Sequence, residues 1–244
     1  MSILDSAVLL LQAKNYSGSG DWLDESGNGH DAQFGDGSTP STYPTHAGTT
    51  FRIDSGDYFL IADHADIDFG AADSFTLMIA VSVDNPTSGT QAWLDKGSMA
   101  GPTGSAYAMW SASDRKVNGS IADGTLGTSR SSVSAEVVAG ELGAFWFVRD
   151  VGEDKIKVWR PSSQDYAAST DSTTATLAGA LDLFIGRYAP VGTLWLTGNV
   201  AAVAIWRSAI SEAEAKEAAA LLTPEPVGSH LRYAGPGQLL RTGG

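Results

Sequence analysis

The chain has 244 residues, 43% of them hydrophobic, enough to fill the core of one β-sandwich or barrel. Its 28 acidic and 15 basic residues leave a net charge of −13, which repels phosphate backbones and anionic bilayers and argues against nucleic-acid and membrane partners. There is no cysteine, so no disulfide or thiolate metal site can contribute and burial alone must hold the fold.

The first expected strand covers residues 7–12. It lies in a start, MSILDSAVLLLQAKNY, that lacks a basic leader region, and its apolar run is too short for a signal peptide. No later segment reaches the roughly 18 apolar residues of a membrane span. Synthesis in a cytosol is therefore the expectation.

Next comes Trp22-Leu-Asp-Glu-Ser-Gly-Asn-Gly-His30. Read functionally, Asp24 and Asn28 would be oxygen ligands for calcium. Read structurally, Asp24 and Ser26 accept backbone amides in tight turns, and Gly27 and Gly29 supply positive φ. Trp22 then fills the core. Calcium wants six to eight oxygens, and few carboxylates alternate here. The stretch reads as a corner of the fold.

Strands follow at 50–53 and 58–62, then the acidic knot Asp63-His-Ala-Asp66-Ile-Asp68. It lacks the register and distal glutamate of an EF-hand loop. A calcium site built from Asp63, Asp66 and Asp68 with a second loop is its functional reading; solvated loop carboxylates are the plain one.

The clearest strand is SFTLMIAVSV, 74–83. Phe75, Leu77, Ile79, Val81 and Val83 share one face, and the small residues between them suit an outer face that is partly covered. Weaker strands are expected at 91–96, 106–111 and 117–122. Residues 144–151 and 154–160 form a hairpin through Gly152-Glu153, and 181–187 and 200–207 complete the set. Eleven antiparallel strands of this kind require two packed sheets, since one flat sheet would leave an apolar face in water.

One helix is expected. Ser211-Glu-Ala-Glu214 is a capping box, and Ala215, Ala218, Ala219 and Leu222 form one apolar stripe. Pro224 and Pro226 stop it. Residues 1–223 are read as one domain and 224–244 as an extended tail, glycine-rich and locally basic, that attaches the domain to a partner.

Glycoside cleavage needs paired carboxylates on one strand, and no E-x-D-x-E or E-x-D-x-x-E occurs. Glu212, Glu214 and Glu217 serve the helix dipole. Histidines 30, 46, 64 and 230 show no H-x-x-x-H spacing, and no G-x-S-x-G elbow is present. The chain is read as a non-enzyme. Trp146, Trp159 and Trp206 fall inside strand patterns and read as core or sheet cover. Trp110, Tyr188 and Trp195, at strand ends or in loops, are the candidate rings for stacking on a sugar.

Taken in order, these motifs resemble the laminin-G-like, concanavalin-A-like jelly rolls. Trp22-x-Asp24-x-Ser26-Gly27-Asn28-Gly29-His30 is similar to that family's early W-x-D-x-S-G-N-x-H turn. Ser74-Phe75-Thr76 looks like its FT strand, and Trp93-Leu-Asp-Lys96-Gly97 like its ILSKG strand. Leu183-Phe-Ile-Gly186, Gly198-x-Val200 and Ile205-Trp206-x-x-Ala209-Ile210-Ser211-x-Ala213-Glu214 are similar to its closing signature. Ala201-Ala202 departs from the acidic pair usual after the last glycine. The resemblance implies an all-β, two-sheet antiparallel jelly-roll sandwich with one short C-terminal helix.

The family hosts lectins, hydrolases and structural modules alike. An acidic, cysteine-free jelly roll without a leader looks like a bacteriophage virion protein, decorating a capsid or sitting on a tail. The expectation is thus a non-catalytic virion surface protein that binds host glycans. Its expected partners are capsid or tail proteins and further copies of itself. The alternative is a cellular carbohydrate-binding module assisted by calcium.

Overall fold

A computed structural model describes residues 2–97, 106–124, 128–160, 165–188 and 194–223. The strands begin with β1 (Leu9–Gln12), β2 (Gln33–Phe34), β3 (Thr45–His46), β4 (Phe51–Ile53) and β5 (Phe59–Ile61). Next come β6 (Phe75–Val83), β7 (Gln91–Asp95), β8 (Ala106–Ser111), β9 (Lys116–Ala122) and β10 (Thr128–Glu136). The last are β11 (Gly143–Asp150), β12 (Lys155–Arg160), β13 (Asp165–Thr170), β14 (Leu183–Ile185) and β15 (Gly198–Trp206), before helix α1 (Glu212–Leu222). All eleven expected strands are present. The expected tail, 224–244, lies outside the described residues.

The strands form two antiparallel sheets packed as an open jelly-roll-like sandwich. One has the order β13-β12-β11-β6-β15-β4-β3, with β1 pairing along the second half of β15; the other runs β10-β9-β8-β7-β14-β5-β2. Four strands escaped the sequence pattern. Two of these, β2 and β3, have only two residues each, too few to show a period. The other two, β10 (TSRSSVSAE) and β13 (DYAAST), are the edge strands of their sheets, where a second neighbour's apolar demand is missing. They lie against each other and close that side of the sandwich.

Strand β6 shows how the two-faced pattern is used. Phe75, Leu77, Ile79, Val81 and Val83 enter the core between the sheets, where Phe69 stacks on Phe75 with ring centroids 4.2 Å apart. Met78 and Ala80 point the other way, into a second apolar layer with Trp146, Trp206 and the Ala215, Ala218 and Leu222 stripe of α1. Ala201 and Ala202 lie in this layer, 3% and 0% exposed. Small apolar side chains there let the helix sit directly on the sheet. The indole of Trp206 donates to the Ile3 carbonyl at 3.0 Å and ties the N-terminus to the same layer.

The glycines of the closing signature have steric reasons. Gly186 has φ +92°, a left-handed conformation that disfavours side chains. At Gly198, a Cβ would run into the Ser82 carbonyl of the neighbouring strand.

The Trp22–His30 turn is a corner, as its sequence implies. Asp24 accepts the Leu10 amide (2.9 Å) and Ser26 amide (2.9 Å) on Oδ1, and the His30 amide (3.1 Å) on Oδ2. The turn is thereby bound to β1, while Trp22 packs 4.8 Å from Phe51 and 5.0 Å from Phe59.

The long connection from β5 to β6 crosses between the sheets, and no ladder is available to its carbonyls. Two arginines from other elements supply donors instead, and a lysine pairs with the connection's carboxylates. Arg149 of β11, 1% exposed, donates to the Gly70, Ala71 and Asp73 carbonyls, to the Thr173 hydroxyl and, at 2.7 Å, to Asp171. All five guanidinium N–H groups are used. Arg207 reaches the carbonyls of Ala65, Asp66 and Asp68 and the Asp73 carboxylate. Lys96, at 0% exposure, takes Asp63 (2.5 Å), Asp68 (2.8 Å) and the Leu181 carbonyl (2.8 Å). Buried charge is tolerable here because nearly every donor and acceptor is matched.

Arg149→Met keeps the bulk but removes all five guanidinium hydrogen bonds, the ion pair to Asp171 among them, so it should cost about 3–5 kcal/mol. A urea midpoint matching wild type would show that the guanidinium does not hold the connection. In the cap of α1, the Ser211 hydroxyl accepts the Glu214 amide, and the Glu214 carboxylate accepts the Ser211 amide at 2.7 Å. Ser211→Ala should cost about 1 kcal/mol. Hydrogen bonds from the Ser211 amide and hydroxyl hold the Glu214 carboxyl below the ordinary glutamate range. That stabilisation is complete above the unfolded pKa and fades as pH falls through the folded one. The gap between wild type and Ser211→Ala in thermal melts should therefore narrow in acid; a gap that widened would contradict the reciprocal cap.

Candidate functional site

The expected acidic trio is divided between two clusters. Asp63 and Asp68 grip the Lys96 ammonium, which stands where the calcium reading would put an ion. Asp66 faces away from them, toward the histidines. Its Oδ2 lies 3.1 Å from His30 Nε2 and 3.3 Å from His64 Nδ1, and the two imidazoles are 4.5 Å apart. Among the described residues this is the one group of three or more His, Asp or Glu side chains whose donor atoms converge as metal ligands would. The histidines are separated in sequence by the whole of β2 to β5, so no spacing motif could show them together. The lysine did leave a trace, since Lys96 is the lysine of the ILSKG-like stretch.

The three candidate stacking rings also part company. Trp110, on β8 opposite Ala92 and Asn118, is 7% exposed. Tyr188 is likewise 7% exposed, and burial, reinforced by the charge of Asp95, pushes its phenol up. A sugar cannot lie flat on either ring in this conformation. Trp195 is partly exposed and belongs to a cluster that the sequence did not reveal.

That cluster is centred on Arg187, just past the end of β14. Its guanidinium carbon lies 4.2 Å from the Tyr58 ring centroid, 4.6 Å from Phe184 and 5.6 Å from Trp195. Phe184 lies between the core-facing Leu183 and Ile185, so alternation along β14 turns it to the outer face of its sheet. Aromatic quadrupoles hold the cation. No carboxylate or carbonyl pairs with it among the described residues, and its Nε is buried without a hydrogen-bond partner. Arg149 and Arg207 spend their forks on the protein's own oxygens; Arg187 has no such partner among the described residues. The geometry is that of a planar fork held ready for an anion.

Two grooves are less informative. One, of about 760 Å³, runs between α1 and the outer face of β11 and β12. Its charged groups already pair internally: Asp150 and Glu153 with Lys157, Glu212 with Lys216. The other, of about 380 Å³, is lined by Tyr16, Phe34 and Tyr43 together with Asp21, whose charge would repel an anion.

No protein-family model matches the chain, and no curated protein matches it. Solved structures do. The botulinum neurotoxin serotype D ligand binding domain, in complex with N-acetylneuraminic acid, matches with a TM-score of 0.61 at 13% identity, over 86% of this chain and 50% of that one. The receptor binding domain of botulinum neurotoxin D gives 0.61 at 13% identity, over 87% and 52%. The binding domain of Paraclostridial Mosquitocidal Protein 1 gives 0.66 at 12% identity, over 88% and 52%. The chain spans about half the length of these structures. At such identity the likeness shows the fold alone: a two-sheet antiparallel β-sandwich.

Proposed function

We propose that this chain is a non-catalytic recognition module that binds glycans carrying an acidic sugar. The observation that carries this reading is Arg187, a guanidinium held by Tyr58, Phe184 and Trp195 with no anionic partner among the described residues. A sugar carboxylate would take the fork bidentately, and the open face of Trp195 would stack on ring C–H groups. Local geometry decides over net charge here, because the remaining acidic surface is screened within about 8 Å at physiological salt. A neighbour of the same fold was solved with N-acetylneuraminic acid, a carboxylated sugar, which supports the class of ligand.

Catalysis is not part of this reading. Asp95 accepts the Gly97 amide at 2.8 Å and Asp150 is paired to Lys157 at 2.9 Å, so these strand carboxylates already have structural work. The setting we propose is the surface of a virion, where an acidic domain without disulfides could be displayed as several copies beside capsid or tail proteins. Mass spectrometry of purified particles would show it as a stoichiometric component; its consistent absence would remove the virion setting and leave the binding module.

Binding of sialyllactose and lactose, measured by calorimetry, tests the module. Sialyllactose should bind and lactose should not, and Arg187→Ala should weaken binding at least tenfold, about 1.4 kcal/mol. EDTA should change nothing. Equal affinity for the two sugars, or an Arg187→Ala protein that binds as wild type, would defeat the acidic-sugar reading. Binding abolished by EDTA would favour the calcium-assisted alternative.

A further inference from the structure

We propose that His30, His64 and Asp66 form a binding site for a first-row transition-metal ion of the zinc class, at the end of the sandwich opposite Arg187. This inference does not depend on glycan binding.

The donor set names the class of ion. Two imidazole nitrogens and one carboxylate oxygen suit zinc, cobalt or nickel; calcium needs a shell of oxygens. In a tetrahedral site with bonds of about 2.0–2.1 Å, neighbouring donor atoms stand about 3.3 Å apart. Asp66 Oδ2 is 3.1 Å from His30 Nε2 and 3.3 Å from His64 Nδ1, close to that spacing without an ion present.

The electrostatics of the trio also ask for a cation. The Asp66 amide donates to His64 Nδ1 at 3.2 Å, so this nitrogen carries a lone pair and no hydrogen. The same nitrogen lies 3.3 Å from the anionic Oδ2, a repulsive contact that an ion between them would make attractive. Coordination would exchange a long amide hydrogen bond for a metal bond.

The surroundings hold the ligands in place. Asp24 anchors the His30 amide, and Arg207 holds the carbonyls of Ala65 and Asp66. The carboxylates that could compete, Asp63 and Asp68, are already neutralised by Lys96. The side chain of His30 is 5% exposed, those of Asp66 and His64 43% and 52%. One ligand is thus fixed in the wall and two face the solvent, which gives the ion an entry path and leaves a fourth position for water or an incoming donor. Without a metal, the trio would be a hydrogen-bonded staple between the Trp22–His30 turn and the β5–β6 connection.

The test uses full-length, untagged protein stripped with EDTA and dialysed. Zinc titrated by calorimetry should bind one to one, and cobalt(II) should develop the intense visible bands of four-coordinate geometry. His64→Ala removes an exposed ring and should leave the fold intact. It should weaken zinc binding by at least the roughly 10–100-fold that loss of an outer-shell partner costs. His46→Ala, which removes an imidazole bonded to the Ala13 carbonyl, should bind as wild type. The proposal is overturned if zinc does not bind at one equivalent, if cobalt(II) shows only the pale spectrum of its hexaaqua ion, or if His64→Ala binds zinc like wild type. A staple without a metal would give the first of these results.

Discussion

The structure depends on how the crossing between its two sheets is made. Residues 62–74 leave the last hydrogen-bonded position of β5 and must reach β6 in the facing sheet, so their carbonyls lie outside any ladder. A carbonyl withdrawn from water without a donor costs about 1–3 kcal/mol, and several partly buried ones occur along this stretch. Arg149 and Arg207, on separate elements, converge to satisfy them, and Lys96 pairs with the carboxylates of Asp63 and Asp68. Each cation is matched in turn by a carboxylate: Asp171, Asp73, or the pair Asp63 and Asp68. An acidic chain can bury positive charge in this way because carboxylates are plentiful.

The same arrangement determines which side chains remain for function. With Lys96 taking Asp63 and Asp68, Asp66 alone of the acidic knot is left to face His30 and His64. Asp24 on the turn and Arg207 on the crossing hydrogen-bond the backbone that carries those three side chains. At the other end of the sandwich, Arg187 follows a different rule. It is held by the faces of three rings, with no carboxylate or carbonyl partner among the described residues. Hydrogen-bonded cations build this fold, and the ring-held one takes no part in that network.

The outer face of the eight-stranded sheet shows a third use of the strand period. A sheet with one solvated face would carry polar residues at every second position. Here those positions are Met78, Ala80, Ala202, Ala204, Trp146 and Trp206, and α1 covers them. This requires alanine on both the strand and the helix, which suits Ala201 and Ala202 to their places under α1.

Much of this was legible in the sequence because it is governed by local periodicity. Alternation along β6, the capping box at Ser211 and the amide-accepting Asp24 are properties of a few consecutive residues, and each took the form that its residues imply. The edge strands β10 and β13 were not legible, since a strand with one neighbour needs no continuous apolar face. Nor could the sequence say which rings are open: Trp110 and Tyr188 have the composition of stacking residues, but neighbouring elements bury them. The two clusters argued to carry function were decided only by tertiary structure. His30 meets Asp66, and Tyr58 meets Arg187, because antiparallel pairing brings distant segments to one end of a sheet. Periodicity dictates which face a side chain occupies, and strand order dictates which distant side chain it meets there.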